Sequence, residues 1–175
     1  TKIILDAAAS HFYEKGVYSF EKKELDSEEL LNFYLDLIKN YPILGIEDPF
    51  SENDWQGFSM AVEKFGKQVF VIGDDLLVGN LKRIEKAIKQ KSCNALILKP
   101  NQIGTVSETI RAAELAFKAG WGVFVKHRGG ETNDSFIADL AVGIGAKYIM
   151  AGGPFKKERL AKYNRLLEIE KTIIS

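Results

Sequence analysis

Short unbroken apolar runs, rich in Ile and Val, alternate along the chain with longer amphipathic segments. The runs cover residues 2–6, 43–47, 69–74, 95–99, 122–126 and 147–151. Apolar stretches without polar alternation suit strands buried on both faces. Between them, helical periodicity spans residues 27–40, 54–65, 81–90, 106–119, 133–144 and 157–173. The punctuation agrees. Thr105-Val106-Ser107-Glu108 reads as a capping box, Asp26 or Ser27 suits the first helix start and Asn80 the third. Gly66, Gly120 and Gly145 sit where helices should stop.

Strand and helix thus recur as six consecutive βα units, which predicts an α/β fold with parallel strands. A doubly wound open sheet and a (β/α) barrel compete. A dinucleotide-binding sheet should carry a glycine-rich turn after its first strand, and here that turn reads Asp6-Ala7-Ala8-Ala9-Ser10. The barrel is favoured, although six units are two short of eight. No linker or low-complexity segment divides residues 1–175, which read as one domain. The chain opens on a strand and without Met, which suggests part of a longer polypeptide.

Composition narrows the class. The chain has 175 residues, 46% of them hydrophobic, enough for a sizeable core. Its 24 basic side chains balance 24 acidic ones, which argues against an electrostatic nucleic-acid or membrane-surface binder. No apolar run approaches the ~20 residues of a membrane helix. Cys93 is the single cysteine, which excludes a disulfide scaffold and suits a reducing, cytoplasmic setting.

The chemistry lies in what ends each strand, because barrel active sites are built at the C-terminal rim. The first three ends carry Asp6, Glu47-Asp48 and Asp74-Asp75. The next two carry Lys99 and Lys126-His127-Arg128. Asp6, Glu47 and Asp74 are hard oxygen ligands that suit Mg²⁺, with no His or Cys among them to favour zinc. An acidic half facing a basic half fits a metal-bound anionic substrate, and rim ion pairs are the plainer alternative. Lys99 leaves a dry wall, Ala95-Leu96-Ile97-Leu98, so it reads as a general base or as a lysine paired with a carboxylate. His127-Arg128-Gly129-Gly130-Glu131-Thr132 follows a strand and opens a helix. Glycine amides, a helix N-terminus and an arginine fork there favour an anion such as phosphate.

These motifs, together with Ile46-Glu47-Asp48-Pro49-Phe50, Leu98-Lys99-Pro100-Asn101-Gln102-Ile103-Gly104-Thr105 and Glu158-Arg159-Leu160-Ala161-Lys162-Tyr163-Asn164, resemble the enolase family in order and spacing over essentially the whole chain. The resemblance implies the later part of that family's TIM-type barrel. The family's N-terminal domain and first barrel strands, with its general acid and mobile lid, have no counterpart here. It also implies a glycolytic lyase of the phosphopyruvate hydratase type, often dimeric. Such enzymes interconvert 2-phosphoglycerate and phosphoenolpyruvate with Mg²⁺. By motif position Asp6, Glu47 and Asp74 match the metal carboxylates and Lys99 the base. His127, Arg128 and Gly129, with Lys126 beside them, match substrate-binding positions. Three departures stand out. Gly129 and Lys126 replace residues that are usually Ser, and Met150 stands where the family has a lysine. A catalytic enolase and an enolase-like protein that keeps the fold and metal site without turnover are therefore both expected readings, with an unrelated anion-binding barrel behind them. On the first reading the 175-residue chain alone is inactive, and it self-associates or needs the N-terminal region.

Overall fold

The computed structural model describes residues 1–174. Strand β1 (Ile3–Asp6) leads through a 3₁₀ turn at Ala9–Phe12 into a three-stranded antiparallel meander, β2 (Tyr13–Glu14), β3 (Val17–Phe20) and β4 (Lys23–Leu25). There follow α1 (Ser27–Asn40), β5 (Ile43–Glu47), α2 (Trp55–Phe65), β6 (Phe70–Gly73), α3 (Leu81–Gln90) and β7 (Ala95–Leu98). A one-turn helix, α4 (Pro100–Ile103), precedes α5 (Val106–Lys118). Then come β8 (Gly122–Lys126), α6 (Phe136–Gly143), β9 (Tyr148–Met150) and α7 (Lys157–Ile174). The six expected strands and six expected helices all form.

The helix starts follow their caps. Asp26 accepts from the Glu29 amide at 2.8 Å while the Asp26 amide donates to the Glu29 side chain at 2.9 Å, a reciprocal capping box. Asn80 and Thr105 each accept from the amide three residues on. Asp54 does the same for α2, and its carboxylate also accepts from Tyr18 and Ser27. Gly120 and Gly145 adopt left-handed conformations after their helices, whereas Gly66 stays right-handed. One start differs from expectation: α6 begins at Phe136, not 133. Asp134 accepts from the Phe136 amide, and Thr132 Oγ1 accepts from the Asp134 amide. Such local side-chain bonds compete with helix formation.

The large sheet is wholly parallel, in the order β1-β5-β6-β7-β8-β9. Its two faces separate the candidate architectures. One face packs Val71, Leu96, Leu98, Val123 and Val125 against the helices. The other gathers only strand residues: Ile4, Phe70, Ile72, Ala95, Ile97, Phe124, Tyr148 and Met150. A doubly wound sheet carries helices on both faces; a barrel wall faces itself. The Phe124 and Tyr148 rings stack at 4.4 Å and Phe70 meets both edge-on, filling the interior floor. Gly45 belongs to this crowded interior: an added Cβ would lie 2.8 Å from Ile72.

Candidate active site

Alternation by twos decides which side chains enter the barrel mouth. Extending each inward-facing series one step past the floor gives Ile4 then Asp6, Gly45 then Glu47, Ile72 then Asp74, Ile97 then Lys99, Phe124 then Lys126, and Tyr148 then Met150. Five of the six inward rim positions are therefore charged, and the sixth is a thioether.

The five charged groups form two ion-paired sets. Lys126 Nζ donates to Glu47 Oε1 at 2.6 Å and to Asp6 Oδ2 at 3.2 Å. Lys99 Nζ is bonded to Asp74 Oδ2. In the sheet β8 stands four strands from β1, roughly 19 Å along a flat sheet at about 4.8 Å per strand. A lysine stem cannot span that, so the Lys126–Asp6 contact records the curling of the wall into a barrel. Glu47 is 1% exposed, Asp6 50% and Lys126 20%. Burial pushes the Glu47 carboxyl up from its ordinary value, helped by Asp6 and Asp74, while the hydrogen bond and charge of Lys126 pull it back. Burial opposes the charge of Lys126, but Glu47, Asp6 and Asp74 outweigh it and hold the ammonium above its ordinary value.

A test of the donor set for a cation rests on two atoms. Glu47 Oε2 and Asp74 Oδ1 are buried and have no hydrogen-bond partner within the protein. Oxygens so placed are costly unless a donor or cation meets them. Carboxylate oxygens without His or Cys are the chemistry of Mg²⁺. The residues fit such an ion on the Glu47–Asp74 side, while Lys126 holds the Glu47–Asp6 side.

A second acidic grouping, Asp48, Asp74 and Asp75, has carboxylate oxygens within 4.8 Å of one another. Asp48 is a clamp within it. It sits at φ +42, its N–H donates to Ile72 O at 2.9 Å, and its carboxylate accepts the Asp74 and Asp75 amides at 3.0 and 2.8 Å. Burial pushes its carboxyl up to about 7, against those two amide bonds. Its place, one residue out of the inward phase after Glu47, was the available sign in the sequence that this acid serves the backbone. Cys93 is buried, and that burial, then the Asp48 charge, pushes its thiol well up, which disfavours the thiolate.

The loop after β8 is arranged differently. His127 is half-buried, with Nδ1 2.5 Å from Arg128 O, and Arg128, Gly129 and Gly130 are exposed. A Cβ at either glycine would meet open space. The α6 N-terminus starts four residues beyond Thr132, so these residues do not open a helix as the sequence suggested. Instead the outer end of the loop is held by α7. Lys162, fully buried, donates to Thr132 O at 2.6 Å and Glu158 O at 2.8 Å, with Glu131 Oε2 at 3.5 Å. Nothing in the apolar pattern marked this lysine as internal.

The model of the family described as "Enolase, C-terminal TIM barrel domain" matches residues 1–175. The chain is 53% identical over 171 residues to the enolase of Thermococcus kodakarensis, covering 97% of this chain and 40% of that protein. It is 52% identical over 169 residues to that of Methanocaldococcus jannaschii (97% and 40%), and 49% over 172 residues to that of Elusimicrobium minutum (98% and 41%). The chain thus spans about two fifths of the length of the curated relatives it matches.

Proposed function

Because the chain belongs to the enolase family, within its C-terminal TIM-barrel domain, we propose that the protein carrying it is a Mg²⁺-dependent phosphopyruvate hydratase acting on 2-phosphoglycerate. The observation that supports this reading is the inward rim itself: three carboxylates at the C-terminal ends of β1, β5 and β6, and a lysine just past β7 beside them. Asp6, Glu47 and Asp74 would hold the metal ion. When bound, the ion supplies a positive charge against which a carboxylate-bearing substrate can accumulate negative charge.

The chain's own groups account for proton abstraction and phosphate capture. Lys99 stands 11% exposed beside Asp74, on the wall of the mouth. Once its ammonium gives up a proton, the amine can take the C2 proton of an anionic substrate drawn into the mouth. The carbon acid is weak, so the base must be dry and held close, and the apolar β7 wall beneath Lys99 does both. Arg128 and the Gly129 and Gly130 amides, exposed on the loop above, are free to receive a phosphate. The exposure of Arg128 suits capture of a substrate arriving from solvent.

The test is hydrogen exchange at C2 of 2-phosphoglycerate in the full-length protein. Lys99→Ala should slow exchange and phosphoenolpyruvate formation together by about 10²–10⁴. Unchanged exchange would refute the role of Lys99. Met150 favours a second reading, an enolase-like protein without turnover. It pairs in register with Lys126 and faces inward, where a thioether offers no charge to a substrate carboxylate. The loss of one such stabiliser costs about 10²–10³ in rate. Parent turnover that rises by that factor in Met150→Lys supports this reading.

A further inference from the structure

The ammonium of Lys126 already occupies ground that a divalent cation needs. It touches one oxygen of Glu47 and one of Asp6, on strands β5 and β1, while its own strand β8 lies across the mouth. We propose that Lys126 is a tethered cation that competes with the divalent metal ion for Asp6 and Glu47, so that this site binds its metal more weakly than its carboxylates alone would. The inference rests on the proposed role of Asp6, Glu47 and Asp74 as metal ligands.

Geometry and charge carry it. Three carboxylates face two ammoniums, Lys126 and Lys99. Of the oxygens of these three carboxylates, Glu47 Oε2 and Asp74 Oδ1 are left buried and unpartnered, with none from Asp6. An ion approaching that pair meets Lys126 a single carboxylate away. Glu47 is 1% exposed, so water does little to screen the repulsion between the two cations. The ion can draw Glu47 and Asp6 together only if Nζ withdraws. The lysine stem makes withdrawal feasible: it is flexible, and its ammonium is readily hydrated once released. A solvated surface charge would look different, because Lys126 is 20% exposed, faces inward with Phe124, and spans the mouth to reach its partners.

The test is calorimetric titration of the full-length protein with MgCl₂. The parent is compared with Lys126→Ser and with Lys126→Gln, which keeps length and a donor but removes the charge. Both variants should bind Mg²⁺ at least about tenfold more tightly, equivalent to about 1.4 kcal/mol. Equal or weaker affinity would overturn the proposal while leaving the metal reading intact. Should the variants fail to fold, the parent carries a second measurement. Acylation of Lys126 by an amine reagent, followed by mass spectrometry, should speed up several-fold on adding MgCl₂, because the ion releases Nζ. Labelling that is unchanged or slower in protein that binds Mg²⁺ overturns the competition. Absence of Mg²⁺ binding in parent and variants alike overturns the metal reading and this inference together.

Discussion

Replacing Asp48 separates what its side chain does from what its backbone endures. The carboxylate accepts two amides, of Asp74 and Asp75, and the residue holds a left-handed φ of +42. Each buried amide left without an acceptor costs about 1–3 kcal/mol. Asp74 is buried and Asp75 half-buried, so losing both acceptors should cost about 2–4 kcal/mol. A non-glycine residue in a left-handed conformation carries strain of about 1 kcal/mol, which Asp48 already bears and glycine does not feel. Asp48→Ala should therefore lower stability by about 2–4 kcal/mol, and Asp48→Gly by about 1 kcal/mol less. At roughly 2–4 °C per kcal/mol for a chain of this size, Asp48→Ala would melt roughly 4–16 °C lower. Urea denaturation of parent, Gly and Ala forms reads both quantities. The turn presenting Asp74 would loosen as well, so Mg²⁺ affinity should fall in both variants. Equal stability of Ala and Gly forms would refute the strain argument. Both forms lying within ~0.5 kcal/mol of the parent, the scatter of neutral surface changes, would refute the clamp.

Three further outcomes follow from the fold. The 175-residue chain alone should not convert 2-phosphoglycerate to phosphoenolpyruvate in an absorbance assay; turnover near an ordinary ~10 s⁻¹ would overturn the expectation that the parts of the relatives this chain does not cover, about three fifths of their length, are needed for activity. The same isolated chain should associate at low micromolar concentration, because β1 and β9 end the sheet with unpaired outer edges; a stable monomer in sedimentation would contradict this. The Arg165 guanidinium hydrogen-bonds Asp139 and holds its carboxyl below the usual range, so α6–α7 docking gains stability that is present above about pH 4 and lost as pH falls through the depressed folded value. Arg165→Gln should flatten that acid limb in a melting series from pH 6 to 3, and an unchanged limb would remove the pair from the account.

The strands were legible because Ile- and Val-rich runs have few other places to go in a chain this polar. The charged rim was legible because Asp6, Glu47, Asp74, Lys99 and Lys126 interrupt those runs at their ends. The meander at β2–β4 was not. Its turns use Lys15-Gly16 and Glu21-Lys22 at positive φ, and its strands are too short and too charged to alternate. Tyr18, buried there against Phe50 and bonded to Asp54, shows its purpose only in three dimensions. The partners of Lys126 were equally hidden. Register pairs it with Met150 on the adjacent strand, but only the curl of the wall brings its ammonium to Glu47 and Asp6.

Lys162 has a consequence for how the loop above the mouth would meet a ligand. Between the last residue of β8, Lys126, and the clasped carbonyl of Thr132 lie only five residues, His127 to Glu131. A flexible segment that must order around an anion surrenders about 1–2 kcal/mol of conformational freedom per residue at the moment of binding. Here both ends are fixed beforehand, one by the sheet and one by a lysine inside α7, so much of that ordering is complete before any ligand arrives. Two anchored ends this close limit how far the stretch can swing, and they confine the volume that the exposed Arg128 guanidinium searches.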